Sequence, residues 1–204
     1  MAISSESQRE FRTCLAQYPT GICVVTVRGR SHAAGMTLNS FISVSLDPCL
    51  VLISLANGSR TATTLEAGAR FTISFLQRWQ AHIAHAFARS GAPFPTRLVS
   101  EVDGHLEVRG ALAVIRCTAE RLVPGGDHVL VIGDVSKFEH RDGEPLVFYR
   151  GRIGGMHWDL DSHVGGWDVL DLQVPQHSSA AADAKRSLAM PAQGEPRSER
   201  STLS

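Results

Sequence analysis

Three polar clusters have residue types and spacing that chemistry could use. In "GMTLNSFISVSLDPCLVLIS" (35–54), Thr37, Asn39, Ser40, Ser43 and Ser45 place uncharged donors and acceptors directly before an apolar run. Such residues also hydrogen-bond their own backbone in turns, and spacing alone favours that reading over a ligand groove. In "NGSRTATTL" (57–65), Ser59 and Thr61 open a predicted helix beside Arg60. Free N–H groups and a guanidinium there suit an anion, although a capped surface helix fits equally well. In "PGGDHVLVIGDV" (124–135), a Gly-Gly-Asp-His corner leads into a strand, where a lone His128 is more often structural than functional.

Other chemistries find less support. His82 and His85 form an HxxH pair, but no third ligand stands at suitable spacing, so no metal is expected. No GxGxxG follows a predicted strand, no GxxxxGK[ST] is present, and no nucleophile elbow frames a serine or cysteine.

The elements that must position these clusters are mainly strands. "ICVVTV" and "SHAAGMT" flank an Arg-Gly-Arg turn, and "LVLISL", "RFTISFL", "LAVIRCTAERLV", "DHVLVIGDVSKF" and "PLVFYRG" follow. Pro124-Gly125-Gly126 and Arg141-Asp142-Gly143 read as turns. "SSESQREFRTCLAQY", "SRTATTLEAG" and "QAHIAHAFARSG" read as helices, the first with Phe11, Leu15 and Tyr18 on one face and the third ending on glycine. Many strands without regular βαβ alternation predict a mainly β, α+β barrel or sandwich.

The 204 residues have a formal net charge of zero, which gives no electrostatic reason to expect nucleic acid or an anionic membrane as partner. Residues 1–156 carry 16 Lys/Arg against 13 Asp/Glu, whereas 157–204 carry 4 against 7. From Gln176 the composition is rich in Ala, Ser, Arg and Pro with no aromatic residue, which predicts a disordered tail over 176–204. Residues 157–175 form an extension of open structure between that tail and a domain at 1–156. Cys14, Cys23, Cys49 and Cys117 show no CxxC spacing and are expected to be buried free thiols. No signal-peptide core or membrane-spanning run is read, so a cytoplasmic protein is expected.

In this order the blocks resemble the short-chain flavin reductase family, the reductase components of two-component flavin monooxygenases. The resemblance covers about residues 8–152. It runs through "FRTCLAQYPTGICVVT", "GMTLNSFISVSLDPCLVLISL", "NGSRTATTL", "GARFTISFL", "HIAHAFA", "GDHVLVIGDV" and "PLVFYRGR". It implies an FMN-binding split β-barrel with short peripheral helices, FMN or FAD as flavin and NADH or NADPH as reductant. It further implies a homodimer, and a partner monooxygenase that receives reduced flavin.

Carried over by residue, the resemblance places Thr37, Leu38, Asn39 and Ser40 along the flavin, with Ser43, Val44 and Ser45 continuing that wall. Pro19 and Thr20 would close one side of the ring pocket. Ser59, Arg60 and Thr61 would hold the phosphate, with Asn57 among the cofactor-binding residues and Phe87 and Arg89 near the cofactor. Asp127 and His128 match a motif associated with the nicotinamide nucleotide, with His128 the candidate catalytic residue and Tyr149 and Arg150 in the block that closes the site. The family often has Ala at the position of Leu38 and Pro at that of Cys49; the bulk of Leu38 would narrow the ring pocket. A flavoenzyme that retains its flavin and a non-catalytic flavin-binding protein are the alternatives.

Overall fold

A computed structural model describes residues 4–156, and the expected extension and tail lie outside the described residues. In chain order the elements are helix α1 (Ser5–Leu15) and strands β1 (Thr20–Gly21), β2 (Cys23–Arg28), β3 (Ala33–Leu38), β4 (Ile42–Leu46) and β5 (Cys49–Ala56). Helix α2 (Arg60–Thr64), β6 (Arg70–Phe75) and α3 (Ala81–Ala88) come next. The chain then continues through β7 (Val99–Val102), β8 (His105–Val108), β9 (Ala113–Gly125), β10 (His128–His140), β11 (Val147–Tyr149) and β12 (Arg152–Gly154). The mainly β class expected from the sequence is observed.

One seven-stranded sheet has the order β3-β2-β6-β9-β10-β5-β4. Its edge strands β3 and β4 are joined only by residues 39–41. That connection reaches at most ~14 Å, whereas a flat sheet of this width would hold its edges roughly 28 Å apart. The sheet must therefore roll. Two smaller sheets accompany it, β1-β11-β12 and β7-β8.

Rolling separates the sheet's two faces. Val25, Val27, Ile53, Leu55, Phe71, Ile73 and Val131 meet in one core cluster. Ile22, Val24, Leu76, Ile83, Phe87 and Leu146 form a second, which takes in α3. Period-two alternation sends Val24 and Val25 of β2 to different clusters. Gly133 permits this packing: a Cβ there would stand 2.5 Å from the Phe71 ring. The ladder between β9 and β10 is irregular at the same place, between Ile132 and Gly133.

Several expectations need correction. Cys14 is exposed and Cys49 half-buried, so only Cys23 and Cys117 are core thiols. Burial pushes both thiols up, Cys117 to about 12 with help from the Asp134 carboxylate. Helix α1 ends at Leu15, before Tyr18, and among the described residues nothing covers Phe11, Leu15 and Tyr18, which are 57%, 56% and 75% exposed. Helix α3 stops at Ala88, before Gly91, because Arg89 already turns to extended backbone. Strands β1, β4, β7, β8 and β12 depart from the expected set. Among the described residues no helix is long and apolar enough to cross a membrane.

Candidate functional site

Strand β3, the start of α2, the end of α3 and the loop 89–95 enclose a cleft of about 300 Å³. Thr37, Ser59, Arg60, Thr61, Phe87 and Arg89 line it, so six of the candidates converge there. Gly35 forms its floor, where a Cβ would lie 2.9 Å from both the Phe87 ring and the Val25 carbonyl oxygen. The missing side chain lets Phe87 rest on the strand. Phe87 in turn meets Phe94 edge to face at 5.7 Å between centroids. The Thr37 hydroxyl donates to the Ala84 carbonyl at 2.7 Å and ties the strand to α3.

The α2 end is built for an anion, though not by its dipole. Helix α2 has only five residues, too few for a substantial macrodipole. The Ser59 side chain caps it by accepting from the Ala62 N–H at 3.2 Å. The backbone N–H groups of Arg60 and Thr61 have no acceptor among the described residues. Arg60 donates through Nη1 to the Ala92 carbonyl at 3.0 Å, which holds the loop and keeps the guanidinium at the cleft wall.

A second group stands beside this cleft. Strands β9 and β10 turn through Gly126, at φ 73°, and Asp127. Asn57 stitches that turn to the cleft rim: its backbone N–H donates to the Asp127 carbonyl at 3.0 Å and its amide to that of Gly126 at 3.1 Å. The next two residues, Gly58 and Ser59, line the cleft. His128 Nδ1 pairs with the Asp127 carboxylate at 2.7 Å. The hydrogen bond from His128 and its charge hold the Asp127 carboxyl below the usual range. With Nδ1 turned to the carboxylate, Nε2 is the ring nitrogen left for a ligand.

The remaining candidates lie outside the cleft of a single chain. Asn39 donates to Thr20 Oγ1 at 3.0 Å, with Pro19 next to it in sequence. Ser40 bridges to β5, donating to the Ser54 carbonyl at 2.9 Å and accepting from its N–H at 3.1 Å. Ser43 and Val44 are exposed on edge strand β4, and Ser45 accepts from the Asp47 N–H. Leu38 is 8% exposed and packs in the first core cluster. Its side chain is therefore turned away from the cleft, and its carbonyl accepts from Cys23 Sγ at 3.5 Å. Tyr149 is 41% exposed, with the Arg150 guanidinium 5.1 Å from its ring centroid. Arg150, at φ 47°, anchors the end of α1 by donating to Gln17.

The sequence reading missed Gly35 and the loop 90–95 with its Phe94. The clustered Gly91, Pro93 and Pro95 carried a loop signal, but nothing local said what the loop would cover. Among the described residues no group of three or more His, Cys, Asp or Glu is placed to hold a metal.

Comparison with known proteins matches residues 15–157 to the flavin reductase like domain. The chain belongs to the flavin reductase like family. An NADH-dependent FMN reductase of Streptomyces nodosus subsp. asukaensis is 36% identical over 150 residues, 70% of this chain and 81% of that protein. An NADH-using FMN reductase of Agrobacterium fabrum is 38% identical, covering 73% of this chain and 86% of that protein. Among solved structures, the NADH:FAD oxidoreductase of Streptomyces globisporus in complex with NAD and FAD fragments superposes with a TM-score of 0.70 at 35% identity. It covers 79% of this chain and 99% of its own. The flavin reductase component of a bacterial two-component tryptophan halogenase gives 0.68 at 34% identity, covering 73% and 98%.

Proposed function

We propose that this protein is an NAD(P)H:flavin oxidoreductase that transfers hydride from a nicotinamide nucleotide to FMN or FAD and supplies the reduced flavin to a partner monooxygenase. One observation carries the reading: in a chain of this family, two unpaired N–H groups and the Arg60 guanidinium stand in one cleft with Phe87 and Arg89. Relatives described as NADH-dependent FMN reductases support the same chemistry. A bound flavin supplies the hydride acceptor, so the protein's work is to hold and align two rings.

The residues fit that work. Arg60, Ser59, Thr61 and Arg89 would bind the phosphate. Thr37, Asn39, Ser40, the Leu38 backbone, Pro19 and Thr20 would follow the ring edge and ribityl chain. Ser43, Val44 and Ser45 would extend the wall. Asp127, His128 and Tyr149 would face the nicotinamide nucleotide, with Asn57 coupling that side to the phosphate cradle. Within this reading His128 orients the nucleotide through Nε2.

The architecture is taken to be a split barrel, on the support of the short connection between β3 and β4 and the two core clusters. The working unit is taken to be a homodimer. A cleft of about 300 Å³ lies at the lower end of ligand pockets, and the uncovered apolar residues of α1 and β4 suit a second copy. A domain at 1–156 is inferred from composition, and the expected extension at 157–175 and tail at 176–204 lie outside the described residues; a cytoplasmic location remains the reading of the sequence.

The deciding experiment is an anaerobic assay that crosses NADH and NADPH with riboflavin, FMN and FAD. Bleaching of added flavin over many turnovers is expected. Protein that oxidises neither nucleotide with any flavin would overturn the proposal.

A further inference from the structure

Beside the apolar residues Val99 and Val108, the face of the sheet under hairpin β7–β8 carries a polar layer. Thr72 meets His105 at 3.2 Å, and the Val108 N–H donates to Ser74 at 3.1 Å. At the end of this layer Arg116 is only 6% exposed. Its Nη2 donates to Glu107 at 2.6 Å and to Glu139 at 2.5 Å. Both carboxylates converge on one nitrogen. Nε is buried with no acceptor, and Nη1 makes no hydrogen bond among the described residues.

A cavity of about 270 Å³ adjoins this guanidinium, lined by Arg70, Arg116, Lys137, Thr118, Ser136, His105 and Asp103. It shares no residue with the flavin cleft. Lys137 is engaged by Asp103 at 2.8 Å. Arg70 has a single long contact, 3.5 Å to the Asp103 carbonyl. The Thr118 hydroxyl has no protein partner among the described residues. Burial holds His105 below its ordinary value, so it adds no charge near neutrality. Arg70, Arg116 and Lys137 balance Asp103, Glu107 and Glu139, and attraction here comes from unmet donors rather than net charge. A buried guanidinium with donors left unmet is a costly arrangement that an incoming oxygen anion relieves.

We propose that this cavity is a second ligand site, for a small oxyanion such as inorganic phosphate or a carboxylate, held by Arg116 Nη1, the Arg70 guanidinium and the Thr118 hydroxyl. Because the charges balance, affinity on the order of millimolar is expected. The site is independent of flavin chemistry.

Thermal unfolding of the full chain, titrated with inorganic phosphate or acetate against chloride at matched ionic strength, tests it. Protection by phosphate, by acetate or by both is expected, and the pattern identifies which oxyanion the site takes. Arg116→Met removes a buried ion-pair partner and risks misfolding. The informative variant is therefore Arg70→Gln with Thr118→Val, which leaves Arg116 in place. That variant should lose affinity about tenfold while flavin-dependent NADH oxidation is unchanged. Arg60→Gln, in the cleft, should retain the protection. No protection by either oxyanion overturns the proposal, as does protection lost in Arg60→Gln and kept in the double variant.

Discussion

Strands β3 and β4 are separated by three residues in the chain, 39–41, and stand at opposite edges of one seven-stranded sheet. They share a stretch rich in small and hydroxyl side chains, yet the fold treats them differently. β3 is roofed by α2 and α3, its glycine lies under Phe87, and its threonine is bonded to α3. β4 is bare, with Ile42, Val44 and Leu46 exposed at 55%, 48% and 60%. Similar local chemistry thus yields a formed wall in one place and an open edge in the other. What covers a strand, rather than its composition, decides whether its hydroxyls line a cleft within one chain.

The largest test of that contrast is Gly35→Val set against Ser43→Val. Overpacking against Phe87 and the Val25 carbonyl should cost about 1–3 kcal/mol, with loss of most flavin-dependent NADH oxidation. The exposed β4 change should stay within ~0.5 kcal/mol. Urea unfolding measures both, and equal destabilisation would break the contrast.

Arg60→Ala probes the roofed side next. Loss of a charge-assisted contact should weaken FMN by roughly 1.5–3 kcal/mol, about ten- to a hundredfold, and leave riboflavin, which lacks the phosphate, nearly unaffected. Titration of both flavins by fluorescence decides it. His128→Ala, at the solvent-exposed turn between β9 and β10, should raise the KM for nicotinamide nucleotide several-fold more than that for flavin, by analogy with loss of a single hydrogen bond. Parallel increases in the two constants would remove the nucleotide from that side.

The smallest effect concerns pH. His105, buried at 7% exposure, has its titration lowered by that burial. The unfolded chain therefore takes up a proton that the fold resists. Stability is complete above the ordinary histidine range near ~6.5 and declines as pH falls through it. His105→Gln should flatten that decline in urea titrations, whereas an unchanged slope would assign the acid sensitivity elsewhere.

Much of the fold was legible because it rests on local signals. Strands β2, β5, β6, β9 and β10 are β-branched and apolar, and Ser4 and Ser59 cap the helices they precede. Strands β7 and β8 escaped notice because their outer partners, Thr72, Ser74 and Arg116, are polar, so the sequence offered no clean alternation. The convergence of Thr37, Ser59–Thr61 and Phe87–Arg89 was anticipated only through family resemblance. Spacing by itself favoured turn chemistry for the hydroxyl stretch.

Sequence alone determined the mainly β class, the positions of most strands and caps, and the family. These follow from period-two patterning, turn chemistry and matched blocks, each local along the chain. Only the tertiary structure decided that Leu38 turns into the core, that Gly35 seats Phe87, and that Arg60 reaches Ala92 across 32 residues. Those outcomes depend on how a rolled sheet brings distant segments together, and no window of sequence carries that distance.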